Sequence, residues 1–448
     1  MSGAYQSALG YVYGFTDYEK QSGFPYTPDR FDLKRVEQLM HLLGDPHRAC
    51  KFVHVAGTKG KGSTSAILAS VLMHSRYRTA LYSSPHLHTF RERIQIDGEL
   101  IAQDQVVAGI DRLRAVAAQV PGITTFELIT ALAFDHFAQH RVELAVIEVG
   151  LGGRLDATNV ITPLVAVITS ISYDHMMYLG NTLSEIAAEK AGIIKPGVPV
   201  VSAPQALEAQ QVIERIAAER HSPLTLVARG WHWQSVNSTA HGQQFAAWPT
   251  SDPSRGALYS LPLLGRHQQQ NAVTALATLD RLRQAGLVIT EAAAHAGLRS
   301  VHWPGRLEVL NQRPWVIVDG AHNGDSMAKL RAAIGDLFPH HKLVLVLGVS
   351  ADKDIDAMLE EILPIADDVL VSQAHHPRAA SADSLADRVR ACGRAAVAIP
   401  VDQALEQALQ RVGEDGLVCA TGSLFLVADF RAAWLKHMGH PAPPSDAE

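Results

Sequence analysis

Short, continuous apolar runs alternate along the chain with stretches of helical period. Three runs rich in Val and Ile lie at residues 51–56, 144–149 and 165–169. After the first run, residues 65–75 place four apolar side chains on one helical face, Ile67, Leu68, Val71 and Leu72. Continuous apolar runs separated by helices are typical of parallel strands covered on both faces. The pattern therefore predicts an α/β fold with a mostly parallel, doubly wound sheet.

The pattern changes twice in the second half of the chain. Residues 229–259 are polar with a Ser/Pro-rich run, which predicts short antiparallel strands, and a helix follows at about 270–285. The sequence His302-Trp303-Pro304-Gly305 then interrupts the periodicity. A new strand–helix series starts at Trp315, with strands predicted near 342–348, 368–372, 396–400 and 416–420. We predict two domains, residues 1–298 and a smaller Rossmann-like α/β domain at residues 299–448.

Composition narrows the class of protein. The 448 residues carry a formal net charge of −6 and no dense Lys/Arg run, so nucleic acid is a poor candidate partner. Cys50, Cys392 and Cys419 form no C-x-x-C pair, which favours reduced thiols. Neither a signal peptide nor an apolar run long enough to span a bilayer is evident. We expect a cytoplasmic protein, working as a monomer without a membrane partner.

A glycine-rich segment follows the first apolar run and precedes a helix. It reads Gly57-Thr58-Lys59-Gly60-Lys61-Gly62-Ser63, in the strand–loop–helix setting of a P-loop. Backbone N–H groups and a helix N-terminus would hold phosphate oxygens there, with Lys61 at the outer phosphates. Gly62 separates Lys61 from Ser63, which departs from the usual pattern, and a glycine-rich turn without ligand is the alternative. The large domain is thus predicted to bind ATP or GTP, for a kinase, switch, motor or ligase.

Further motifs narrow this choice. They lie at residues 83–87, 91–94, 148–159, 174–175, 189–195, 304–306 and 319–323, and the segment EVGLGGRLDATN is the most specific of them. Together with the P-loop, they resemble the folylpolyglutamate synthase/dihydrofolate synthase family, a branch of the Mur ligases. Two departures stand out, since the family usually has Asn at the position of Lys59 and Pro at the position of Gly324.

The resemblance implies an ATP site, Mg²⁺ and a set of catalytic residues. The ATP-binding positions are Gly57, Thr58, Lys59, Gly60, Lys61, Gly62, Ser63, Asn271, Arg306 and Asp319. Two Mg²⁺ ions are implied, and their predicted ligands are Ser63, Ser84, Glu148 and His175. A monovalent cation is a further possible cofactor. Imidazole is an unusual Mg²⁺ ligand, so His175 is assigned by the resemblance alone. The catalytic residues would be Lys61, Glu148, His175, Lys190, Asp319 and His322.

The resemblance also implies sites for a pterin-containing acid and for glutamate. The folate or pteroate positions are Ser84, Pro85, Thr124, Thr125, Phe126, Glu127, Leu155, Asp156 and Ala157, and the glutamate positions are His322 and Ser423. For Phe126 the alternative to binding the pterin is an ordinary place in the hydrophobic core. For Ser423 the alternative to binding glutamate is the capping of a helix N-terminus. Lys190 would be carbamylated, whereas a lysine on a helix is ordinarily a solvated surface residue.

The implied reaction is an ATP-dependent ligation of L-glutamate to a folate or dihydropteroate carboxylate through an acyl phosphate. The sequences of the motifs resemble those of bacterial bifunctional members of the family. We therefore expect both activities, the addition of glutamate to dihydropteroate and the extension of the glutamate tail of folates. A Mur-type ligase acting on a cell-wall precursor is an alternative, although the P-loop begins only about 55 residues into the chain. A nucleotide-controlled binding protein without ligase activity is another alternative, and it would not need the motif at residues 319–323.

Overall fold

Three sheets organise the molecule in a computed structural model that describes residues 3–18, 27 and 31–446. The first sheet has eight strands in the order β4-β3-β2-β5-β1-β6-β7-β8. They are β1 Lys51–Ala56, β2 Thr79–Tyr82, β3 Ile94–Ile96, β4 Glu99–Leu100, β5 Leu144–Glu148, β6 Val165–Ile168, β7 Val200–Ser202 and β8 Leu224–Leu226. The β2–β3 and β3–β4 pairs are antiparallel, and the other pairs are parallel.

Two further sheets follow in the chain. A small antiparallel sheet has the order β11-β10-β9, with β9 Trp231–Thr239, β10 Gly242–Pro249 and β11 Ala257–Leu261. The third sheet has the order β12-β13-β17-β14-β15-β16. Its strands are β12 Glu308–Gln312, β13 Trp315–Asp319, β14 Leu343–Leu347, β15 Asp368–Val371, β16 Ala396–Ala398 and β17 Leu417–Thr421. Only the pairing of β12 with β13 is antiparallel in this sheet.

Helices cover both faces of the two larger sheets. Those of the first half are α1 Gly3–Tyr13, α2 Leu33–Leu42, α3 Lys61–His74, α4 Gln103–Ala117, α5 Thr125–Gln139, α6 Met176–Leu179, α7 Leu183–Ala191, α8 Leu207–Glu219 and α9 Val227–Gly230. Those of the second half are α10 Arg266–Gln284, α11 Glu291–Ser300, α12 Gly324–Leu337, α13 Ile355–Ile362, α14 Ala382–Ala391, α15 Val401–Val412 and α16 Leu424–His437. Short 3-10 turns include Phe90–Arg93 and Ala157–Val160. Among the described residues, no helix has both the length and the apolar character needed to cross a bilayer.

The apolar strands form the centres of separate cores. In the first sheet Val53 and Val55 face a cluster that includes α3, while Phe52 packs with Phe134 of α5 on the opposite face. The third sheet likewise separates two clusters. Successive side chains of a strand point to opposite faces of the sheet, and both faces are buried here. This explains why these strands are apolar without interruption.

The predicted α/β class, doubly wound parallel sheet and second α/β sheet are confirmed. Strand β12 lies before the predicted start of the second series, and its half-buried residues carry only a weak apolar pattern. The first two sheets lie within residues 51–261 and the third within 308–421. The exact domain limits, 1–298 and 299–448, stay a prediction.

Candidate active site

The carboxyl ends of four neighbouring strands, β2, β5, β1 and β6, meet at one edge of the first sheet. Loops at this edge of a doubly wound sheet are where ligands bind. The glycine-rich loop follows β1, Ser84 follows β2, and Glu148 ends β5. His175 comes after β6, at the start of α6. The fold therefore brings the predicted phosphate and metal positions to the same edge.

The glycine-rich loop has a conformation that side chains would obstruct. Gly57 and Gly60 have φ of 152° and 85°, and a Cβ on Gly57 would lie 1.8 Å from the Thr169 hydroxyl. A Cβ on Gly60 would lie 2.3 Å from Asn271 Oδ1, so the predicted nucleotide residue Asn271 lies against the loop. Helix α3 then starts at Lys61, which gives the loop the helix N-terminus that favours an anion.

Gly62, the departure from the usual P-loop spacing, has a packing reason. A Cβ at this position would come within 2.9 Å of the Trp303 ring. Trp303 precedes the Pro304-Gly305-Arg306 turn. The first turn of α3 therefore packs directly on the segment that leads into the C-terminal domain, which contains the third sheet. An added side chain would have to displace this aromatic ring.

Glu148 is a buried carboxylate, 4% exposed, at the end of β5. Within the described residues its hydrogen bond is a long one, 3.3 Å from the Ser84 backbone N–H. Burial raises the pKa of Glu148, while the nearby Lys61 and Arg306 act in the opposite direction. A buried carboxylate with so little direct compensation is suited to a bound cation.

The donor set around Glu148 fits Mg²⁺ that is shared with a substrate. In the described part of the chain, no group of three or more His, Cys, Asp and Glu side chains could hold a metal ion. Mg²⁺ commonly takes one or two carboxylates and completes its shell with water and phosphate oxygens. Glu148 supplies such a carboxylate, with Ser84 beside it, whereas the imidazole of His175 remains a ligand only by prediction.

Lys190 is buried, 4% exposed, on α7, so the alternative of a solvated surface lysine is wrong. Its Nζ donates a hydrogen bond to the Gly57 carbonyl at 3.0 Å, which ties α7 to the glycine-rich loop. Burial, together with the nearby Lys61, lowers the pKa of Lys190 to about 7. A substantial fraction of the amine is therefore neutral near pH 7.

Asp174 joins the two sheet domains. One of its oxygens lies 3.0 Å from Lys59 Nζ and the other 3.0 Å from Lys353 Nζ. Lys59 Nζ also lies 3.2 Å from His322 Nε2. Burial alone would raise the pKa of Asp174, but the charges of Lys59 and Lys353 hold it well below its ordinary value. Asp174 thus connects the loop after β1 to the loops after β13 and β14.

The His322 ring has a defined tautomer in this arrangement. Its Nδ1 lies 2.9 Å from the Gly320 carbonyl, which can only accept a hydrogen bond, so Nδ1 carries the proton. The Nε2 lone pair then faces the Lys59 ammonium. Burial, followed by the charge of Lys59, lowers the pKa of His322 to about 4. His322 is therefore neutral at physiological pH.

Replacing Lys59 with asparagine, the residue usual in the family, should lower the free energy of unfolding by about 1–3 kcal/mol, since a mostly buried charged hydrogen bond is lost. Denaturant unfolding is the measurement. Lys329→Asn is the matched control. Lys329 Nζ lies 2.7 Å from a carboxylate oxygen of Asp325, but both side chains are exposed, so this ion pair should contribute only about 0.3–0.5 kcal/mol. Equal losses in both variants would contradict an interdomain role for Lys59.

Arg306 lies between carboxylates of both domains. Burial lowers its pKa, and the charges of Asp319 and Glu148 oppose that effect. Asp319 has both carboxylate oxygens engaged by backbone, at 2.7 Å from Leu307 N and 2.9 Å from Ala321 N. In this structure Asp319 consequently fixes the turn that carries Arg306.

The predicted pterin-binding residues of α5 have internal partners. The Thr124 hydroxyl and the Glu127 carboxylate form a reciprocal capping box, and Glu127 also pairs with Arg35 at 3.0 Å. Thr125 Oγ1 donates to the Val12 carbonyl. These contacts give the three residues a structural role in shaping the start of α5.

Phe126 differs from its neighbours because it remains half-buried. Its ring lies 6.2 Å from that of Tyr82, and a Cβ on Gly150 would come within 2.5 Å of it. The ring therefore lies against the loop after β5, between the core and the site edge. In that loop, buried Asp156 accepts hydrogen bonds from Leu151 and Thr158, while Leu155 is half-buried and Ala157 starts a 3-10 turn.

Ser423 and Gly324 occupy helix starts in the second domain. The Ser423 hydroxyl accepts from Leu426 N at 3.1 Å, so its N-cap role is confirmed. A Cβ on Gly324 would lie 3.3 Å from Ala357, which allows α12 and α13 to pack closely. Pro85 is exposed beside Ser84, on a loop at the first sheet's edge.

Asp174 and Lys353 are the site residues that the sequence reasoning left without a role. Asp174 lay inside a recognised motif, but its neighbour His175 drew the assignment. Lys353 follows the apolar strand β14 in the segment Ser350-Ala351-Asp352-Lys353-Asp354. A charged residue at the carboxyl end of a strand was the available signal.

Comparisons with known proteins match most of the chain. A model described as the Mur ligase middle domain matches residues 55–279, and one described as the Mur ligase, glutamate ligase domain matches residues 305–424. The chain is 35% identical over 436 residues to the dihydrofolate synthase/folylpolyglutamate synthase of Bacillus subtilis (strain 168), covering 96% of this chain and 98% of that one.

Solved structures are similar over the same extent. Mycobacterium tuberculosis folylpolyglutamate synthase complexed with ADP has a TM-score of 0.84 and 31% identity, over 96% of this chain and 98% of that one. E. coli FolC in complex with DHPP and ADP has a TM-score of 0.85 and 29% identity, over 98% of this chain and 100% of that one.

Proposed function

We infer that this chain, which belongs to the folylpolyglutamate synthase/dihydrofolate synthase family of the Mur ligases, is an ATP-dependent ligase that joins L-glutamate to the carboxylate of a folate. Relatives named for both activities, and a structural neighbour holding DHPP and ADP, support dihydropteroate as a second acceptor. The reaction class follows from family membership, whereas the residue roles below are our proposals.

The contact between Lys59 and His322 carries the proposal. These residues come from different sheet domains, and their nitrogens are 3.2 Å apart. The glycine-rich loop is thereby held against the second domain, in which the glutamate ligase match lies. A ligase that transfers an activated carboxylate to an amine needs both reactants held together away from water. A nucleotide switch has no such requirement, so this arrangement favours the ligase.

The acceptor carboxylate attacks the γ-phosphorus of ATP, the bond to ADP breaks, and an acyl phosphate forms. The glutamate amine then attacks the acyl carbon, and inorganic phosphate leaves as the amide forms. The loop Gly57–Gly60 and the start of α3 hold the phosphates through backbone N–H groups, and Lys61 and Arg306 neutralise charge that develops on them. His322, kept neutral, lines the side on which glutamate enters.

Glu148 and Ser84 would hold Mg²⁺ with ATP phosphate oxygens, and Ser63 and His175 are further predicted ligands. When bound, the ion supplies charge neutralisation at the phosphates. Lys190 would act as a carbamate, because its neutral amine can attack CO₂ and release a proton. This change converts a buried cation beside Lys61 into an anion, which relieves the repulsion between the two lysines.

The pterin ring would lie against Phe126, which is the least enclosed of the α5 positions and which adjoins the loop after β5. Thr124, Thr125 and Glu127 shape that surface through the contacts described above. Ser423 serves first as an N-cap, and glutamate binding by it is a secondary proposal. Cys50, Cys392 and Cys419 are free, in keeping with the expected cytoplasmic location.

Purified protein given ATP, Mg²⁺, L-glutamate and dihydropteroate should form ADP and dihydrofolate, and tetrahydrofolate should likewise gain glutamate. Turnover should depend strictly on both glutamate and acceptor. Product analysis by liquid chromatography and mass spectrometry is the measurement. Turnover with tetrahydrofolate alone would leave only chain extension, and glutamate-independent hydrolysis would favour the nucleotide-controlled binding protein.

A cell-wall acceptor is the remaining alternative, and the same assay addresses it. A nucleotide-linked muramoyl carboxylate would replace the pterin acids, with all other components unchanged. Amide formation with that acceptor, and none with either pterin acid, would overturn the proposed substrate class.

A further inference from the structure

The chain crosses from the second domain back to the first after α16. Residues 439–446, named here the C-terminal strap, have the sequence Gly-His-Pro-Ala-Pro-Pro-Ser-Asp. Three prolines in eight residues favour a stiff, extended segment. The start of the strap is fixed by hydrogen bonds from Gly439 N to Lys436 O and from His440 N to Leu435 O. At its far end Asp446 contacts the first domain.

The Asp446 carboxylate accepts three hydrogen bonds there. Its Oδ1 lies 2.9 Å from the hydroxyl of Tyr5 and 2.8 Å from that of Thr89. Its Oδ2 accepts the backbone N–H of Phe90. Tyr5 and Thr89 are both buried, so this carboxylate satisfies donors that have little access to water. Burial and the charge of Asp446 together raise the pKa of the Tyr5 hydroxyl.

Two of these donors, Thr89 and Phe90, belong to the loop that carries Ser84 and Pro85. We name residues 83–90 the acceptor loop. Glu92 accepts backbone hydrogen bonds from its residues 87, 88 and 89, at 2.7, 2.9 and 3.1 Å. Asp446 adds the next donor along the chain, Phe90 N. Two carboxylates thus fix the end of the acceptor loop, and one of them comes from the other domain.

The acceptor loop has further contacts with the second domain. The His88 ring lies 3.2 Å from the Arg431 guanidinium of α16, and Arg431 pairs with Glu308 at 2.9 Å. Leu87 packs on the core cluster behind α16. Helix α16 and the strap that continues from it therefore hold the loop at three successive places.

Tyr5 extends the connection to the other predicted acceptor segment. It lies on α1, and the end of that helix accepts a hydrogen bond from Thr125 through Val12 O. Asp446 consequently contacts two elements that lead to the proposed folate positions, the acceptor loop and α1. The tail of the second domain is thus attached to the part of the first domain that would bind the acceptor.

We propose that Asp446 is a positioning residue and that the C-terminal strap holds the acceptor loop in its binding conformation. The proposal rests on the proposed function for its link to the acceptor, but the hold on the loop is independent of any substrate. Removing the strap would free residues 87–90 at the end of the loop, while Ser84 at its start would keep its backbone hydrogen bond to Glu148 and the glycine-rich loop would keep its own contacts. The strap therefore affects acceptor binding selectively.

The test compares Asp446→Ala, a chain ending at His440, and the control Glu406→Ala, which removes an exposed carboxylate of α15. Hydrogen–deuterium exchange without substrates is measured first. Loss of hydrogen bonds to a charged acceptor should speed exchange of the Phe90 amide by roughly tenfold or more, since each factor of ten needs only about 1.4 kcal/mol. Amides of the glycine-rich loop should exchange as in the parent protein.

Kinetics follow on the same variants. We expect KM for the folate acceptor to rise by roughly tenfold in both strap variants, with KM for ATP changed less than twofold. The control should match the parent protein in both measurements. Unchanged hydrogen–deuterium exchange at residues 87–90 in the strap variants would refute the proposal that the strap holds the acceptor loop, whatever their activity. Faster exchange with an unchanged acceptor KM would overturn the positioning role, and failure of all variants, including the parent, to ligate glutamate would instead count against the proposed function.

Discussion

Glu148→Gln is expected to lower glutamate-dependent ADP formation by roughly 100- to 1,000-fold, the range found when one pre-organised charged or polar group is lost from a reaction centre. The substitution keeps the shape of the side chain and removes its charge. Glu148 is the buried carboxylate at the strand edge, near Lys61 and Arg306, so the charge balance at the phosphates changes while the packing does not.

The same variant should unfold at a temperature no lower than that of the parent protein. Burial raises the pKa of Glu148, which means that the folded state disfavours the ionised form at neutral pH. The neutral amide removes that penalty, so activity and stability should change independently. Initial rates and thermal unfolding are the two measurements. Glu360→Gln on the exposed side of α13 is the control and should match the parent protein in both.

Activity retained within threefold would exclude Glu148 from the reaction. A large drop in unfolding temperature together with lost activity would also contradict the proposal, because the fold would then require the charge.

Lys190→Ala is the second variant with a large expected effect, a loss of roughly 100-fold or more in turnover. The buried amine donates to Gly57 O, and with a pKa of about 7 it is available to react with CO₂. If the working form is the carbamate, the alanine variant lacks a negative group in a confined space. Added formate or acetate should then restore part of the activity, whereas a small amine should not.

Lys190→Arg keeps a positive charge and cannot form the carbamate, so it should be inactive and should not respond to acetate. Exposed Lys436→Ala is the control and should retain full activity. The ¹³C signal of a carbamate in protein incubated with ¹³CO₂ gives a second, independent measurement. Recovery with an amine instead of a carboxylate would show that Lys190 works as a cation.

The glycine-rich loop and the strand edges could be predicted because they depend on local signals. A strand, a run of glycines and a helix adjoin one another in sequence, and the strand ends follow from the apolar pattern. The burial of Lys190 could not be predicted in that way. It depends on how α7 packs against a loop 133 positions earlier in the chain. Helical periodicity gives the face of a helix but not its neighbour.

The interdomain contacts were harder still to predict from the sequence. Lys59 first stood out only as a departure from the family pattern, and its reason is the carboxylate of Asp174 and the ring of His322, 263 positions away. The pterin positions show the opposite case. Thr124 and Glu127 matched the family motif, yet their side chains cap α5, so the motif there reflects local folding as well as binding.

The contact between Gly62 and Trp303 has a consequence for how such chains vary. The indole ring lies where a side chain at position 62 would begin, although the two positions belong to segments far apart in sequence. A larger residue at 62 is tolerable only if the residue at 303 becomes smaller, and a small residue at 303 leaves room that a larger one at 62 would fill. The two positions should therefore drift through evolution as a pair, so that a substitution at one is accepted mainly in lineages that have already changed the other.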